Sequence, residues 1–317
     1  MSNLLKVNRP LRGLVRPIRG LVIGSGGSWG AAGGGTCQAW NRQYDIVSGV
    51  STGSTLAPLV ALGEYDRLRV AYTSVTNPRV LNVNPLTRRN KLNLCRAAWR
   101  LASRKVTLGE SEGLKNLIDQ TFTREDFLRL EALQKRVIVA ALEIRQAPHR
   151  VMYGDSSLNS FEDFKTFMWA SANVPVLMSL VKMGSYELVD GGTTEMLSLC
   201  RVLAMGATEV DVIIHRPRPE SYDRGPTRSI IHLVRRLYDI LRGEVEDNDL
   251  QQGLLLAQTL GAKVNVCWLP KKLENALQFD KATMEGYWDL GYRTAFDEGR
   301  FDRYDFSEQT LSPILQL

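Results

Sequence analysis

Ser51 stands in Gly49-Val50-Ser51-Thr52-Gly53, the G-x-S-x-G spacing that holds a nucleophilic serine on a tight strand-to-helix turn. Such a turn forces one residue into strained backbone, and a glycine two positions to either side removes β-carbons that would collide there. The hydroxyl then stands clear of the sheet, at the positive end of the following helix. A second Gly-rich turn, Gly24-Ser25-Gly26-Gly27-Ser28-Trp29-Gly30, lies upstream. Successive glycines let backbone N–H groups converge on one spot, and a helix start behind them favours negative charge. One turn presents a hydroxyl and the other can hold an oxyanion, which together equip a chain for acyl transfer.

A serine hydroxyl is a weak nucleophile until a base takes its proton. The chain has three histidines, His149, His215 and His232. His149 falls at a predicted hairpin turn, His215 between a strand and Pro217, and His232 within a helical pattern. None has the surroundings of a triad base. Asp190 ends a short strand, and Gly191-Gly192 would let its backbone turn away and present the carboxylate to a neighbouring turn. A buried carboxylate of raised pKa can act as base directly. Asp-Gly-Gly reads equally well as a plain turn. No dinucleotide G-x-G-x-x-G is complete, because Trp29 stands where the final glycine belongs, and neither a Walker loop nor a metal-ligand spacing occurs.

The elements that must position these residues alternate strand and helix, the pattern of a parallel sheet. Leu21–Ile23 and Ile46–Val50 are predicted strands, each feeding a Gly turn and a helix. Pro58 falls inside the second helix and predicts a kink or an early end there. Helix is expected over 63–76, a loop over 77–91, and a basic amphipathic helix over 95–105, with Trp99 on one face and Arg96, Arg100 and Arg104 on another. That helix reads equally as a lipid-facing element or as a surface helix packing its Trp inward. Arg136–Ile144 is the strongest strand, with 149–153 as its hairpin partner. A helix over 160–171, a strand over 186–189, a helix over 195–205 and a strand over 209–214 follow. Helical patterns at 227–241 and 250–260, a last strand at 264–268 and a closing helix at 281–296 complete the chain.

The 317 residues are 44 % hydrophobic and 23 % charged, an ordinary globular balance. The net charge of +6 suits an acidic partner such as a lipid surface. No aromatic–basic cluster points to nucleic acid. Cys37, Cys95, Cys200 and Cys267 lack any C-x-x-C pairing and are expected as reduced core thiols. The expected organisation is a basic arm over 1–18, with no uninterrupted apolar run marking a secretory signal, followed by a single domain over 19–317. A cytoplasmic protein acting at membrane surfaces is the expectation.

Three blocks, in order, resemble the patatin-like phospholipases. Leu21-Val22-Ile23-Gly24-Ser25-Gly26-Gly27-Ser28-Trp29-Gly30-Ala31 looks like the family's oxyanion block. Tyr44 through Gly53 matches its elbow. Ala170-Ser171-Ala172-Asn173-Val174-Pro175, followed by Leu188-Val189-Asp190-Gly191-Gly192, matches its Ala-Ser-x-x-x-Pro and D-G-G motifs. The resemblance implies a three-layer α/β/α sandwich with a mainly parallel central sheet. It also implies a Ser–Asp dyad without histidine, with Ser51 as nucleophile and Asp190 as base. Gly26, Gly27 and Ser28 would supply oxyanion donors, supported by Gly49, Gly53, Gly191 and Gly192, with neither metal nor cofactor.

The implied activity is hydrolysis of fatty-acyl esters in phospholipids or lysophospholipids at an anionic membrane surface. The alternatives are an esterase or acyltransferase on soluble acyl esters, or a non-catalytic lipid-binding relative. Two positions depart from the family pattern: Ser25 replaces a glycine, and Trp29 replaces a Lys or Arg and removes a positive charge.

Overall fold

β-Branched and other apolar residues in unbroken runs build the centre of the protein, as expected of parallel strands covered on both faces. The structure, a computed structural model, describes residues 16–87, 92–218, 226–271, 273 and 276–307. The expected basic arm therefore lies outside the described residues except for 16–18. There Arg16 pairs with Asp45 at 2.6 Å, and Asp45 also accepts the Arg19 amide.

The elements run β1 (Arg19–Ile23), α1 (Gly30–Trp40), β2 (Ile46–Val50), α2 (Thr52–Leu62), α3 (Tyr65–Thr73), α4 (Asn77–Val80), α5 (Leu94–Ala102), α6 (Glu112–Thr121) and α7 (Arg124–Ala132). They continue β3 (Arg136–Glu143), β4 (Arg150–Asp155), α8 (Phe161–Ser171), β5 (Val181–Met183), β6 (Tyr186–Asp190), α9 (Leu199–Ala204) and β7 (Glu209–Ile214). The last are α10 (Ile230–Leu260), β8 (Lys263–Trp268), α11 (Lys281–Arg293) and β9 (Phe301–Asp305).

Strands β3, β2, β1, β7 and β8 pair in parallel in that order, with antiparallel strands β5, β6, β4 and β9 added outside them. Side chains alternate between two cores. Leu21, Ile23, Val47, Val137 and Val139 face α1, α2, α8 and α11. Val22, Ile46, Val210, Val212 and Val264 face α9 and α10. The result is the expected three-layer α/β/α sandwich.

Two features of this sheet place the site. From β1 the chain moves first toward β2 and β3 and later returns toward β7 and β8, so β1 is the switch point whose carboxyl end opens a crevice. The second feature is an edge shared by two strands. β4 runs along one edge of β3 from Ile138 to Glu143, leaving the other edge to β2 and β6. β2 takes the first part, ending with Val50 opposite Ala140, and β6 takes the next residue, with Asp190 opposite Ala141. The ends of these two strands therefore meet, although 139 residues separate Ser51 from Asp190.

Close approach explains the small residues of α1. A β-carbon on Gly35 would lie 2.0 Å from the Trp288 carbonyl oxygen, and one on Gly291 would lie 1.9 Å from that of Ala32. α1 and α11 thus touch backbone to backbone, which only glycine permits at these two positions.

Several elements differ from the sequence expectation. α2 does not end early: it continues past Pro58 to a left-handed Gly63, which also separates it from α3. α4 forms a single turn within the expected loop, and 88–91 lie outside the described residues. The two expected helices at 227–241 and 250–260 are one helix, α10. The polar stretch between them turns inward, where Glu246 pairs with Arg216 and Asp249 accepts the Met196 and Leu197 amides at 2.6 and 3.0 Å. Those two bonds also delay α9, which begins at Leu199. β8 is followed by a further strand, β9. On α5 Trp99 faces outward, against the reading that packs it inward, and Arg100 is buried on the Thr107 carbonyl and Glu110 while Arg96 and Arg104 stay exposed. Cys37 and Cys267 are buried as expected, but Cys95 is exposed.

Candidate active site

β2 ends at Val50, and the chain turns at once into α2. The turn leaves Ser51 at φ 56° and ψ −120°, a conformation that side chains avoid and that surroundings must impose. The imposing contacts are close. A β-carbon on Gly49 would lie 2.1 Å from the Gly53 carbonyl oxygen, and one on Gly53 would lie 2.2 Å from that of Ile23. The Ser51 amide donates to Ser171 Oγ at 3.0 Å, so the Ala-Ser segment at the end of α8 braces the elbow. The Ser51 carbonyl accepts from the Ser54 amide at 2.9 Å and from Ser54 Oγ at 2.6 Å.

Asp190 reaches the elbow along β3. Ser51 Oγ donates to Asp190 Oδ2 at 2.6 Å, and Oδ1 accepts the Gly192 amide at 2.8 Å. The Asp190 amide is fixed on the Asn173 carbonyl at 2.9 Å. Both Ser51 and Asp190 are buried. Burial raises the Asp190 pKa to about 6, partly offset by the hydrogen bonds from Ser51 and Gly192 and by the charge of Arg242. The carboxylate is ionised at neutral pH yet close to the range in which it can accept a proton.

The Gly-rich turn follows β1 and lies beside this pair. Gly27 adopts φ 58°, and among the described residues no hydrogen bond engages the Gly26 or Gly27 amide. Ser28, expected as a third oxyanion donor, differs: its amide is already spent on the Ala276 carbonyl at 2.8 Å. The reason is the segment after β8, which crosses the turn so closely that a β-carbon on Gly27 would lie 2.2 Å from the same oxygen. Trp29 packs against Leu269 and Leu273.

Two residues singled out by no motif complete the surroundings. Arg242, on α10, donates to Ser25 Oγ at 3.4 Å, and a β-carbon on Gly192 would lie 2.9 Å from that same Oγ. Arg242 thereby brings a positive charge to the oxyanion turn and the D-G-G turn from a distant part of the chain, on the turn from which Trp29 removed one. His215 follows β7. Its Nδ1–H donates to the Gly24 carbonyl at 2.9 Å, which leaves Nε2 unprotonated. Burial lowers its pKa to about 4, so the ring is neutral. It packs beneath the glycines, because a β-carbon on Gly26 would lie 2.6 Å from His215 Cβ and one on Gly33 2.2 Å from Nε2. It buttresses the turn. His149 is exposed beside β4, and His232 accepts the Arg228 amide at its own helix start. No histidine bonds to Ser51 or Asp190.

An apolar cavity of about 100 Å³ opens at Ser51, lined by Leu59, Leu68, Ile118, Phe122, Met168 and Phe279 among others. Among the described residues no group of three or more His, Cys, Asp or Glu could hold a metal ion. Nor is any described helix long and apolar enough to cross a membrane.

The pH dependence follows from Asp190. If it is the base, activity on a soluble ester should fall tenfold per pH unit below about 6. Arg242→Met removes a charge that favours the carboxylate, so its acid limb should lie at higher pH than that of the wild type. A pH profile of kcat/KM measures both, and an unmoved limb would separate Arg242 from the base.

The sequence matches the model of the patatin-like phospholipase family over residues 21–199. No curated protein matches. Among solved structures, the crystal structure of VipD from Legionella pneumophila aligns with a TM-score of 0.41 at 11 % identity, covering 92 % of this chain and 68 % of that one. The family match spans more than half of the chain and includes the oxyanion turn, the elbow and the Asp190 turn, so the protein belongs to the patatin-like phospholipases, a family of lipid acyl hydrolases.

Proposed function

We propose that the protein cleaves fatty-acyl esters of phospholipids or lysophospholipids through an acyl-Ser51 intermediate, with Asp190 as the general base. The observation that carries this is the 2.6 Å hydrogen bond from Ser51 Oγ to a buried carboxylate, at the mouth of an apolar cavity and beside two glycine amides that no hydrogen bond engages among the described residues.

Ser51 Oγ bonds to the ester carbonyl carbon as its proton passes to Asp190 Oδ2. The carbonyl oxygen becomes an oxyanion, held by the Gly26 and Gly27 amides. Loss of one such donor costs about 10²–10³ in rate. Collapse breaks the bond to the alcohol, which leaves with the proton from Asp190. Water then attacks acyl-Ser51, gives its proton to Asp190, and frees the fatty acid as Ser51 recovers its hydrogen. The apolar lining favours an alkyl chain over a sugar or a peptide, since apolar surface gains by leaving water and buried polar groups lose without partners.

The Ser28 amide would join as a third donor once the Ala276 carbonyl withdraws. The protein acts as a single hydrolase unit built on one sheet from β1 to β9, at an anionic membrane surface on the cytoplasmic side. These steps call on no metal or cofactor.

The test is hydrolysis across a panel of diacyl phospholipids, lysophospholipids and soluble short-chain esters, with products identified by mass. Free fatty acid and lysolipid or glycerophosphodiester are expected. Turnover of soluble esters alone would favour the esterase reading, and no turnover at all the lipid-binding one.

A further inference from the structure

The first half of α10 stands beside the site, and among the described residues nothing covers it. Ile230, Leu233, Val234, Leu237, Tyr238 and Leu241 follow the spacing of one helix face. All six are exposed, Ile230 at 81 %, Val234 at 61 % and Leu241 at 64 %. An apolar face normally turns toward a core, and here it turns away from one. The buried positions of the same helix, Glu246, Leu250, Gly253 and Ala257, lie on the opposite side. Past Leu241 the outward face changes character, to Glu244, Asn248, Gln251, Gln252 and Thr259, with Leu255 the apolar exception. The stripe is thus confined to twelve residues, about 18 Å of helix.

Two further observations say what covers it. Residues 228–242 contain four arginines (Arg228, Arg235, Arg236 and Arg242) against one acid, Asp239, a local excess of positive charge in the segment that carries the apolar face. The stripe is also continuous with the site. Arg242, directly after Leu241, reaches Ser25 of the oxyanion turn, its guanidinium lies 5.8 Å from the Tyr238 ring centroid, and α10 touches the Gly191–Thr193 turn that follows Asp190. An apolar face accompanied by arginine matches a bilayer whose acyl region lies under anionic phosphates.

We propose that the outward face of residues 230–241 docks on a bilayer rich in anionic phospholipid and holds the mouth of the Ser51 cavity against it. This rests on the lipid-ester reading of that site, because it supplies the route by which an acyl chain leaves the membrane for Ser51.

The test separates docking from turnover by using the full chain with Ser51→Ala. Flotation with vesicles of phosphatidylcholine and phosphatidylglycerol in equal parts is compared with phosphatidylcholine alone. The Ser51→Ala protein should float with the anionic vesicles and bind the neutral ones at least ~tenfold more weakly. Adding Val234→Asp with Leu237→Asp, or Leu241→Asp alone, should reduce anionic-vesicle binding by about tenfold or more, with the thermal unfolding midpoint retained. Leu128→Asp, on exposed α7 across the sheet, should bind like its parent. Failure of the parent to bind anionic vesicles, or binding by the stripe variants equal to the parent, overturns the proposal. So does a dimer that the stripe variants dissolve while vesicle binding stays absent. Because flotation reads binding and not turnover, these outcomes stand whether or not Ser51 proves to be the nucleophile.

Discussion

Replacing Ser51 by alanine is expected to lower ester hydrolysis ~10⁴-fold or more and to leave the fold in place. The hydroxyl makes one hydrogen bond, to Asp190, and the remaining contacts of residue 51 run through its backbone, to Ser171 and Ser54. Alanine keeps all of those. It also keeps the strain, because a β-carbon remains at φ 56°. Glycine would not. Ser51→Gly should be as inactive as Ser51→Ala yet unfold at a higher temperature, since a residue held in such backbone costs about 1–3 kcal/mol and glycine's extra freedom in the unfolded chain takes back only about 1 kcal/mol. Thermal unfolding of the two variants side by side reads the difference. Equal midpoints would mean that the strain only matches glycine's entropic cost, and a lower midpoint for Ser51→Gly that the elbow stores none. Appreciable hydrolysis by either variant would mean another nucleophile.

Asp190→Asn is expected to lower the rate about 10²–10⁴-fold while stabilising the protein at neutral pH. Asparagine can still accept the Gly192 amide and can bond to Ser51 Oγ, but it cannot take the proton. The stability gain comes from the cost of burying a charge. Burial raises the carboxyl pKa from 3.8 to about 6, so between those values the folded protein binds a proton that the unfolded chain has lost. Stability of the wild type therefore falls as pH rises through that window. Above it the penalty is on the order of 3 kcal/mol, at 1.36 kcal/mol per pKa unit. Below about pH 4 the carboxyl is neutral in both states and the penalty is gone. The Asp190→Asn variant carries no such dependence, so the two stability curves should converge in acid and separate toward neutrality. Curves that stay parallel would remove the buried charge from the account.

How far the sequence carries this site is uneven, for physical reasons. The elbow and the oxyanion turn are legible because each motif lies within a few consecutive residues, although the steric demands behind them reach further: Gly49 answers to Gly53, but Gly53 answers to Ile23. The meeting of Ser51 with Asp190 is not local. It depends on β2 and β6 dividing one edge of β3, a pairing that no periodicity encodes; the local pattern left Asp190 balanced between a base and a plain turn, and the resemblance to a family decided for the base. Arg242 and His215 are harder still, since each reaches the Gly-rich turn from another part of the chain and carries no motif. Ser28 shows the converse. Its place in the motif marks it as a donor, but the Ala276 carbonyl arrives from 248 positions away to claim its amide. Polarity misled twice more. The acidic stretch in α10 reads as a break yet turns inward to Arg216 and to the start of α9, and Arg100 reads as a surface charge yet is buried on α5 beside Ala97.

The central claim is that the Ser51 hydroxyl, hydrogen-bonded to the Asp190 carboxylate, is the nucleophile. Treatment of the folded protein with a fluorophosphonate, followed by mass mapping of peptides, tests it most directly. The account predicts one covalent adduct, on Ser51, formed far more slowly in Asp190→Asn and absent from Ser51→Ala and from denatured protein. An unlabelled Ser51, or an adduct on another residue that survives Ser51→Ala, would contradict it.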